Sequence, residues 1–382
     1  MRCLFVTSHW YLPQMFGGAE SSTHELCMHL RARGHDVGVL AVVRPRTLRA
    51  ACHRVRKLVG GRDAVSDRAA GYPVFRCRRS VIDSIDDVLA RFAPDVVVVQ
   101  VGALATMAEA FLARGVPVIV YLRDVEFRWY GGALPQHPLV RYVANSKFTA
   151  SRHHDAFGIR PDIVPPLVWP ERYICASDRT HVTFVNPVPE KGAETAFALA
   201  RARPDIPFLV VEGWPMDRHM RRMHRTRLAD AGNVTWLRSV RDMRKIYART
   251  RILLAPSLWE EGWGRVITEA QISGIPVLAS NRGGLPESVG PGGLLVAHDA
   301  PLDRWRNALS AMWDDVDVYG QLSAAAALHS RRPAIQPDRL IDRFIAILQV
   351  HVQDGPHSNV PADQTKLSAS AGAHAPLRAA NG

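Results

Sequence analysis

The sequence predicts an α/β protein of two doubly wound parallel-sheet domains that face each other across a cleft. Three observations carry this. The chain has 382 residues, which at about 150 residues per domain suggests two domains and a tail. Short β-branched runs alternate with longer segments of 3.6-residue period, the order that builds parallel sheets with crossover helices. Between two such series lies Pro165-Pro166-Leu167-Val168-Trp169-Pro170, where three prolines in six residues suit a linker better than a helix or strand.

In the first series, Cys3–Thr7, Val37–Val43, Asp95–Val99 and Pro117–Leu122 read as strands, because continuous apolar runs mark strands covered on both faces. Helices are expected near Glu20–Arg33, Ile82–Phe92, Leu104–Ala113 and Ser146–Phe157, with Gly34 ending the first as its left-handed C′ residue. In the second series, strands fall near His181–Val185, Phe208–Val211, Asn233–Leu237, Ile252–Ala255 and Pro276–Ala279. The helices between them fall near Glu194–Arg203, Asp217–Ala231, Val240–Thr250 and Gly264–Ser273. After Leu294–Val296 the pattern is wholly helical, and from about Gln353 it dissolves into Ser/Ala/Gly/Pro/His-rich sequence expected to be disordered. The expected division is 1–168, 169–335, a C-terminal helix over 336–352 and the tail over 353–382.

With 47% hydrophobic and 22% charged residues, the chain can bury enough apolar surface to exclude global disorder. No run approaches the roughly 18 apolar residues of a membrane-spanning helix, and the first residues read as a strand rather than a leader, so a cytoplasmic location is expected. Five cysteines, Cys3, Cys27, Cys52, Cys77 and Cys175, are widely spaced and form no C-x-x-C pair, so they are expected to be reduced and packed. The formal charge of +12 is concentrated over 44–79, with 11 basic and 2 acidic residues, which predicts an anionic partner. Within that stretch Leu48, Cys52, Val55 and Val59 share one face of a helix whose remainder carries Arg46, Arg49, Arg54, Arg56 and Lys57. Such a helix either covers the sheet or lies against an anionic membrane at its inner face.

In open parallel sheets ligands bind at the carboxyl ends of the strands, so the chemistry should lie in the loops leaving them. The loop His9–Ala19 ends in Gly17-Gly18 and runs into a helix, which favours an anionic ligand. Lys191 follows the first strand of the second domain, placed as a point charge for phosphate. In Trp259-Glu260-Glu261-Gly262-Trp263-Gly264-Arg265-Val266-Ile267-Thr268-Glu269, carboxylates eight positions apart flank a glycine-rich helix start. That suits a molecule with hydroxyls on either side of a phosphate. A second glycine pair, Gly283-Gly284, follows the next strand. Asp315-Val316-Asp317 matches a metal pair as text only, since it lies between helices, and His153-His154 are neighbours on a helix that do not share a face. No metal is expected.

Lys191-Gly192, Glu261 with seven residues to Glu269, Ser273-Gly274-Ile275-Pro276-Val277 and Gly283-Gly284-Leu285-Pro286-Glu287 together resemble the retaining glycosyltransferases of family 4, with the GT-B fold of two Rossmann-like domains. The likeness spans about 1–345 and is sharpest over 252–296; the Gly17-Gly18 loop and Asn145-Ser146-Lys147-Phe148-Thr149 fit it too. The resemblance implies a metal-independent transferase without a cofactor, taking a nucleoside diphosphate sugar as donor and an acceptor hydroxyl. It puts Lys191 on the diphosphate, Glu261 on the donor sugar and Glu269 on the ribose hydroxyls, with Gly262, Trp263, Gly264 and Arg265 around the donor and the Gly17-Gly18 loop closing over the phosphates. It also implies attack from the face the nucleotide leaves, with the leaving phosphate helping to take the acceptor proton.

Two departures stand out. Where family members commonly have an arginine five residues before the lysine, this chain has Asn186, so one diphosphate cation is missing. Arg265 either supplies that charge or is an outward solvated residue. Where many members have a histidine in the first domain, this chain reads Tyr121-Leu122-Arg123-Asp124, so that Arg123 or Asp124 would replace it, and Asp124 joins Lys191 and Glu261 as a catalytic candidate. The competing readings are a sugar-nucleotide epimerase or hydrolase of the same fold, a donor-binding protein without turnover, and a non-enzymatic binder of nucleic acid or an anionic surface. Nucleic acid is disfavoured, because aromatic residues do not interleave with the basic 44–79 stretch.

Overall fold

The computed structural model describes residues 1–45, 63–214, 216–228, 230–238 and 240–353. The amphipathic segment 46–59, Cys52 and the tail from 354 onward lie outside the described residues.

The first sheet has eight strands, β1 (Arg2–Trp10), β2 (Asp36–Val42), β3 (Val65–Asp67), β4 (Val74–Cys77), β5 (Val96–Gln100), β6 (Val118–Leu122), β7 (Val140–Ala144) and β8 (Asp162–Ile163). Their order is β3-β4-β2-β1-β5-β6-β7-β8. The pairing is parallel throughout except for β3 with β4, an antiparallel edge that the expected all-parallel sheet lacked. Successive side chains alternate across the sheet. Cys3 and Phe5 therefore enter one core with Val96 and Val98, while Leu4 and Val6 enter the other with Val97 and Val99. Helices α1 (Gly18–Ala32), α2 (Ile85–Phe92), α3 (Leu104–Leu112) and α4 (Lys147–Phe157) connect these strands. Gly34 takes φ +81° just beyond α1, as its stop signal requires.

The second sheet has six strands, β9 (His181–Val185), β10 (Phe208–Val211), β11 (Val234–Leu237), β12 (Thr250–Ala255), β13 (Val277–Ser280) and β14 (Gly293–Val296). They are ordered β11-β10-β9-β12-β13-β14 and all parallel. Around them run α5 (Ala193–Ala202), α6 (Arg218–Arg227), α7 (Arg244–Tyr247), α8 (Arg265–Gln271), α9 (Leu285–Val289), α10 (Leu302–Asp314) and α11 (Val316–His329). The helix expected over Val240–Thr250 shrinks to the single turn α7. Thr250 instead starts β12, its hydroxyl 2.8 Å from that of Thr183 and donating to the Ile246 carbonyl at 2.9 Å.

The last helix, α12 (Pro337–Gln353), returns to the first sheet. Leu340, Ile341, Phe344, Ile347 and Leu348 form its apolar stripe and join the core that holds Phe5 and Tyr121. Phe344 stacks on Phe5 with ring centroids 6.3 Å apart. Among the described residues no helix is long and apolar enough to cross a membrane. Cys3, Cys27 and Cys77 are buried free thiols, and Cys175 is a half-buried one. Part of the basic stretch over 44–79 faces inward: Arg76 is buried, 2.6 Å from Asp67, and donates to the Leu12 carbonyl at 2.5 Å.

Candidate active site

Strand order reverses at β1 between β2 and β5, and again at β9 between β10 and β12. These are the two switch points of doubly wound sheets, where crevices open. A cleft of about 660 Å³ lies over both, lined by His9, Val101 and Gly102 from the first sheet and by Val185, Asn186, Ala255 and Ser257 from the second. Gly17, Gly18, Asp124, Lys191, Glu261, Gly262, Trp263, Gly264 and Arg265 also line it. Of the sequence-derived candidates, Glu269 and the pair Gly283-Gly284 lie outside its lining.

Lys191 Nζ stands 2.8 Å from a Glu261 carboxylate oxygen, with the two side chains 16% and 13% exposed. Lys191 ends a short 3-10 turn over Pro189–Lys191, and Gly192 makes the chain's entry into α5 at φ +78°. A Cβ on Gly192 would sit 1.9 Å from the Pro256 carbonyl, so the close approach to the β12 loop needs glycine. Glu261 is placed from the other side. The Gly284 N–H donates to its carbonyl at 2.7 Å, and a Cβ on Gly284 would lie 2.2 Å from the Gly262 carbonyl.

Arg265 is not the outward solvated residue that was one of the two expectations for it. Its stem passes Gly18, while the guanidinium turns inward, donating to Glu25 at 2.7 Å, to the Tyr173 hydroxyl at 2.6 Å, to Glu269 at 2.7 Å and to the Leu167 carbonyl. It is 6% exposed, and its guanidinium is engaged by these partners where it lines the cleft. Glu269 accepts from Arg265 through one oxygen and from the Tyr247 hydroxyl through the other at 2.8 Å, so the expected ribose contact is not poised in this arrangement. Burial raises the Glu269 carboxyl above its ordinary range, against the pull of Arg265, while the carboxylates of Glu25 and Glu269 hold the Arg265 guanidinium firmly protonated.

Asn186 has φ +64°, and its side-chain oxygen accepts from the backbone N–H of Trp214 at 2.7 Å. Asp124 accepts from the Glu126 N–H at 3.1 Å, and burial raises its carboxyl. Burial pulls the His9 imidazole down. Arg123 lies buried with its guanidinium 4.1 Å over the Tyr121 ring. His153 is a core residue between Tyr130 and Thr149, and Asp315 caps α11 by accepting from the N–H groups of Asp317 and Val318. Among the described residues no group of three His, Cys, Asp or Glu is placed to hold a metal.

Sequence reasoning missed Trp129 and Trp214, both of which line the cleft. Trp214 sits one residue past Gly213 after β10, a lone aromatic in a turn with no spacing to mark it.

Two family models match the chain, "Glycosyltransferase Family 4" over residues 16–172 and "Glycosyl transferases group 1" over 182–315. A GDP-mannose-dependent monoacylated alpha-(1-6)-phosphatidylinositol monomannoside mannosyltransferase of Corynebacterium glutamicum is 27% identical over 233 residues, 56% of this chain. That match spans only 57% of the relative's length. A GDP-mannose-dependent alpha-(1-6)-phosphatidylinositol monomannoside mannosyltransferase of Mycobacterium tuberculosis is 28% identical over 313 residues, 69% of this chain and 81% of its own. The crystal structure of Anabaena Alr3699/HepE in complex with UDP-glucose superposes with a TM-score of 0.71 at 16% identity, over 92% of this chain and all of that one, a likeness of fold. With two matched domains, two facing parallel sheets and the motif residues gathered at one cleft, the chain belongs to the family 4 glycosyltransferases of GT-B fold.

Proposed function

We propose that this chain transfers a sugar from a nucleoside diphosphate sugar to an acceptor hydroxyl, with retention at the anomeric carbon and without a metal ion. The observation that supports this most directly is the Lys191–Glu261 pair at the meeting of the two switch points. A lysine ammonium there offsets charge developing on the departing diphosphate, and a carboxylate beside it orients sugar hydroxyls. The bond between the anomeric carbon and the diphosphate oxygen breaks, the bond to the acceptor oxygen forms on the same face, and the acceptor proton passes to the leaving phosphate. In this reading residues 1–168 hold the acceptor and 169–335 the donor. Asp124, half-buried in the cleft with a raised carboxyl, lies on the acceptor side. The Gly17-Gly18 loop and Gly262–Gly264 let backbone approach the donor from both domains.

The relatives' names make GDP-mannose the first donor to try, with inositol- or mannoside-bearing acceptors. Peripheral contact with an anionic membrane rests on the basic segment 46–59, and Arg49, Arg54 and Arg56 changed to Gln should abolish sedimentation with anionic vesicles.

The test is titration of UDP-, GDP- and ADP-sugars in the presence of a chelator, followed by transfer assays with a labelled donor. Saturable donor binding and acceptor-dependent nucleotide release are expected. Epimerised donor or free sugar without acceptor would move the assignment to an epimerase or hydrolase.

A further inference from the structure

We propose that Asn186 is a positioning residue that seats Trp214, and that the Trp214 indole is a wall of the donor pocket which holds the Lys191 ammonium in place. The inference rests on the donor-site reading given above and assigns two residues within it.

Asn186 directly follows β9 in the left-handed region at φ +64°, which asparagine tolerates better than most residues. The Asn186 carboxamide oxygen accepts from the backbone N–H of Trp214 at 2.7 Å, while the Asn186 N–H donates to the Val211 carbonyl at 2.9 Å. Both bonds tie the end of β9 to the turn after β10. A Cβ on Gly213 would meet the Asn186 carboxamide at 2.3 Å, so the turn is shaped around this side chain. The backbone of Trp214 is thus fixed, and from it the indole projects to 5.3 Å from Lys191 Nζ, with the Trp259 ring at 6.0 Å and Glu261 completing the enclosure at 2.8 Å. Trp214 also reaches the opposite domain: its Nε1 is 3.4 Å from where a Gly17 Cβ would stand.

An ammonium placed against indole faces is attracted by the ring quadrupole and shielded from water. Lys191 is thereby kept at the cleft in a fixed place, and one well-held cation does the work for which a second would otherwise serve. The chemistry the wall recognises is a flat apolar face beside a diphosphate, supplied by either the nucleobase or the sugar ring.

The experiment titrates inorganic pyrophosphate, UDP, GDP, UDP-glucose and GDP-mannose into the full chain and into W214A, W214F, N186G and N186G/W214A, with thermal unfolding as the folding control. Glycine at 186 permits the same left-handed backbone while removing the side chain and its carboxamide. W214A is expected to weaken the diphosphates roughly tenfold and W214F much less. N186G should weaken them in the same direction, and the double variant should be no worse than W214A alone. A loss equal for pyrophosphate and every nucleotide reports the hold on Lys191 alone; further loss shared by UDP and UDP-glucose assigns the wall to the base, and further loss confined to the nucleotide sugars assigns it to the sugar. Unchanged binding in N186G, or additive losses in the double variant, would overturn the seating role. If the wild type binds pyrophosphate alone and both single variants weaken it, the assignment stands and the glycosyltransferase reading falls. If the wild type binds none of the probes, both fall.

Discussion

The guanidinium of Arg265 lies 2.7 Å from the carboxylate of Glu25, 240 residues away in the chain, and joins the two domains through a contact shut off from water. Glu25 also meets Arg172 at 3.0 Å and the Tyr173 hydroxyl at 3.2 Å, so the pair sits beside the crossing between domains. Removing Arg265 takes the cation from buried Glu269 and leaves Glu25 with only the exposed Arg172 as a cation. Arg265→Met should therefore cost roughly 3–5 kcal/mol of stability, and Glu25→Gln combined with it should cost less than the sum. Denaturant midpoints of the two single variants and the double variant test this; a loss under about 1 kcal/mol for Arg265→Met would show that the contact carries little.

Lys191→Ala should lower kcat/KM by about 10²- to 10³-fold, because it withdraws the cation from the departing diphosphate. Glu261→Gln should lower kcat while leaving the nucleotide dissociation constant close to that of the wild type. Steady-state kinetics with titration of the nucleotide separates the two effects, and wild-type turnover in Glu261→Gln would remove that residue from the site.

Gly284→Ala places a methyl where the Gly262 carbonyl stands and must push the Glu261 loop aside. A stability loss of about 1–3 kcal/mol is expected. A fall in transfer rate should accompany it even at temperatures where the variant is fully folded. Melting curves and rates measured on one preparation distinguish the two consequences.

His153 is buried against Tyr130, with its Nε2 2.8 Å from the tyrosine hydroxyl and its Nδ1 2.7 Å from the Thr149 carbonyl. Burial pulls its imidazole down to about 4 from the ordinary 6.5. A folded-state value below the unfolded one means that the neutral ring favours folding above pH 6.5 and that this contribution is lost as pH falls toward 4. The loss should reach up to about 3 kcal/mol. Unfolding curves between pH 7 and 4 should fall more steeply for the wild type than for His153→Gln; equal slopes would place the acid sensitivity elsewhere.

What could be read from the sequence follows from range. The run Val96–Val99 is apolar on both faces and so announces a buried parallel strand, and His181–Val185 and Phe208–Val211 are recovered residue for residue. Lys191 and Glu261 could be brought together because each lies in a loop leaving a strand beside a helix start, and parallel sheets collect such loops at one edge. The edge strands were harder: β3 has three residues, and Arg141 and Tyr142 interrupt the apolar run of β7, where Arg141 pairs with Asp162 at 2.9 Å. The partners of Arg265 could not be read, because they come from α1, the linker and its own helix. Glycine spacing around it speaks only of the local turn, and nothing local to Glu25 points to a partner 240 residues on.

The return of α12 to the first sheet sets an order on the making of the protein. Phe5, Tyr121 and Ile119 share a core with Leu340, Phe344 and Leu348 as well as with Leu26, Cys27 and Leu30 of α1, so that face of the first sheet is only partly covered until α12 has been made. The second domain, whose core is closed by Trp305, Leu309 and Met312 from α10, has all its parts before that moment. The half of the molecule synthesised first is thus completed only after the second sheet has been made, and until then part of its apolar face lacks its cover.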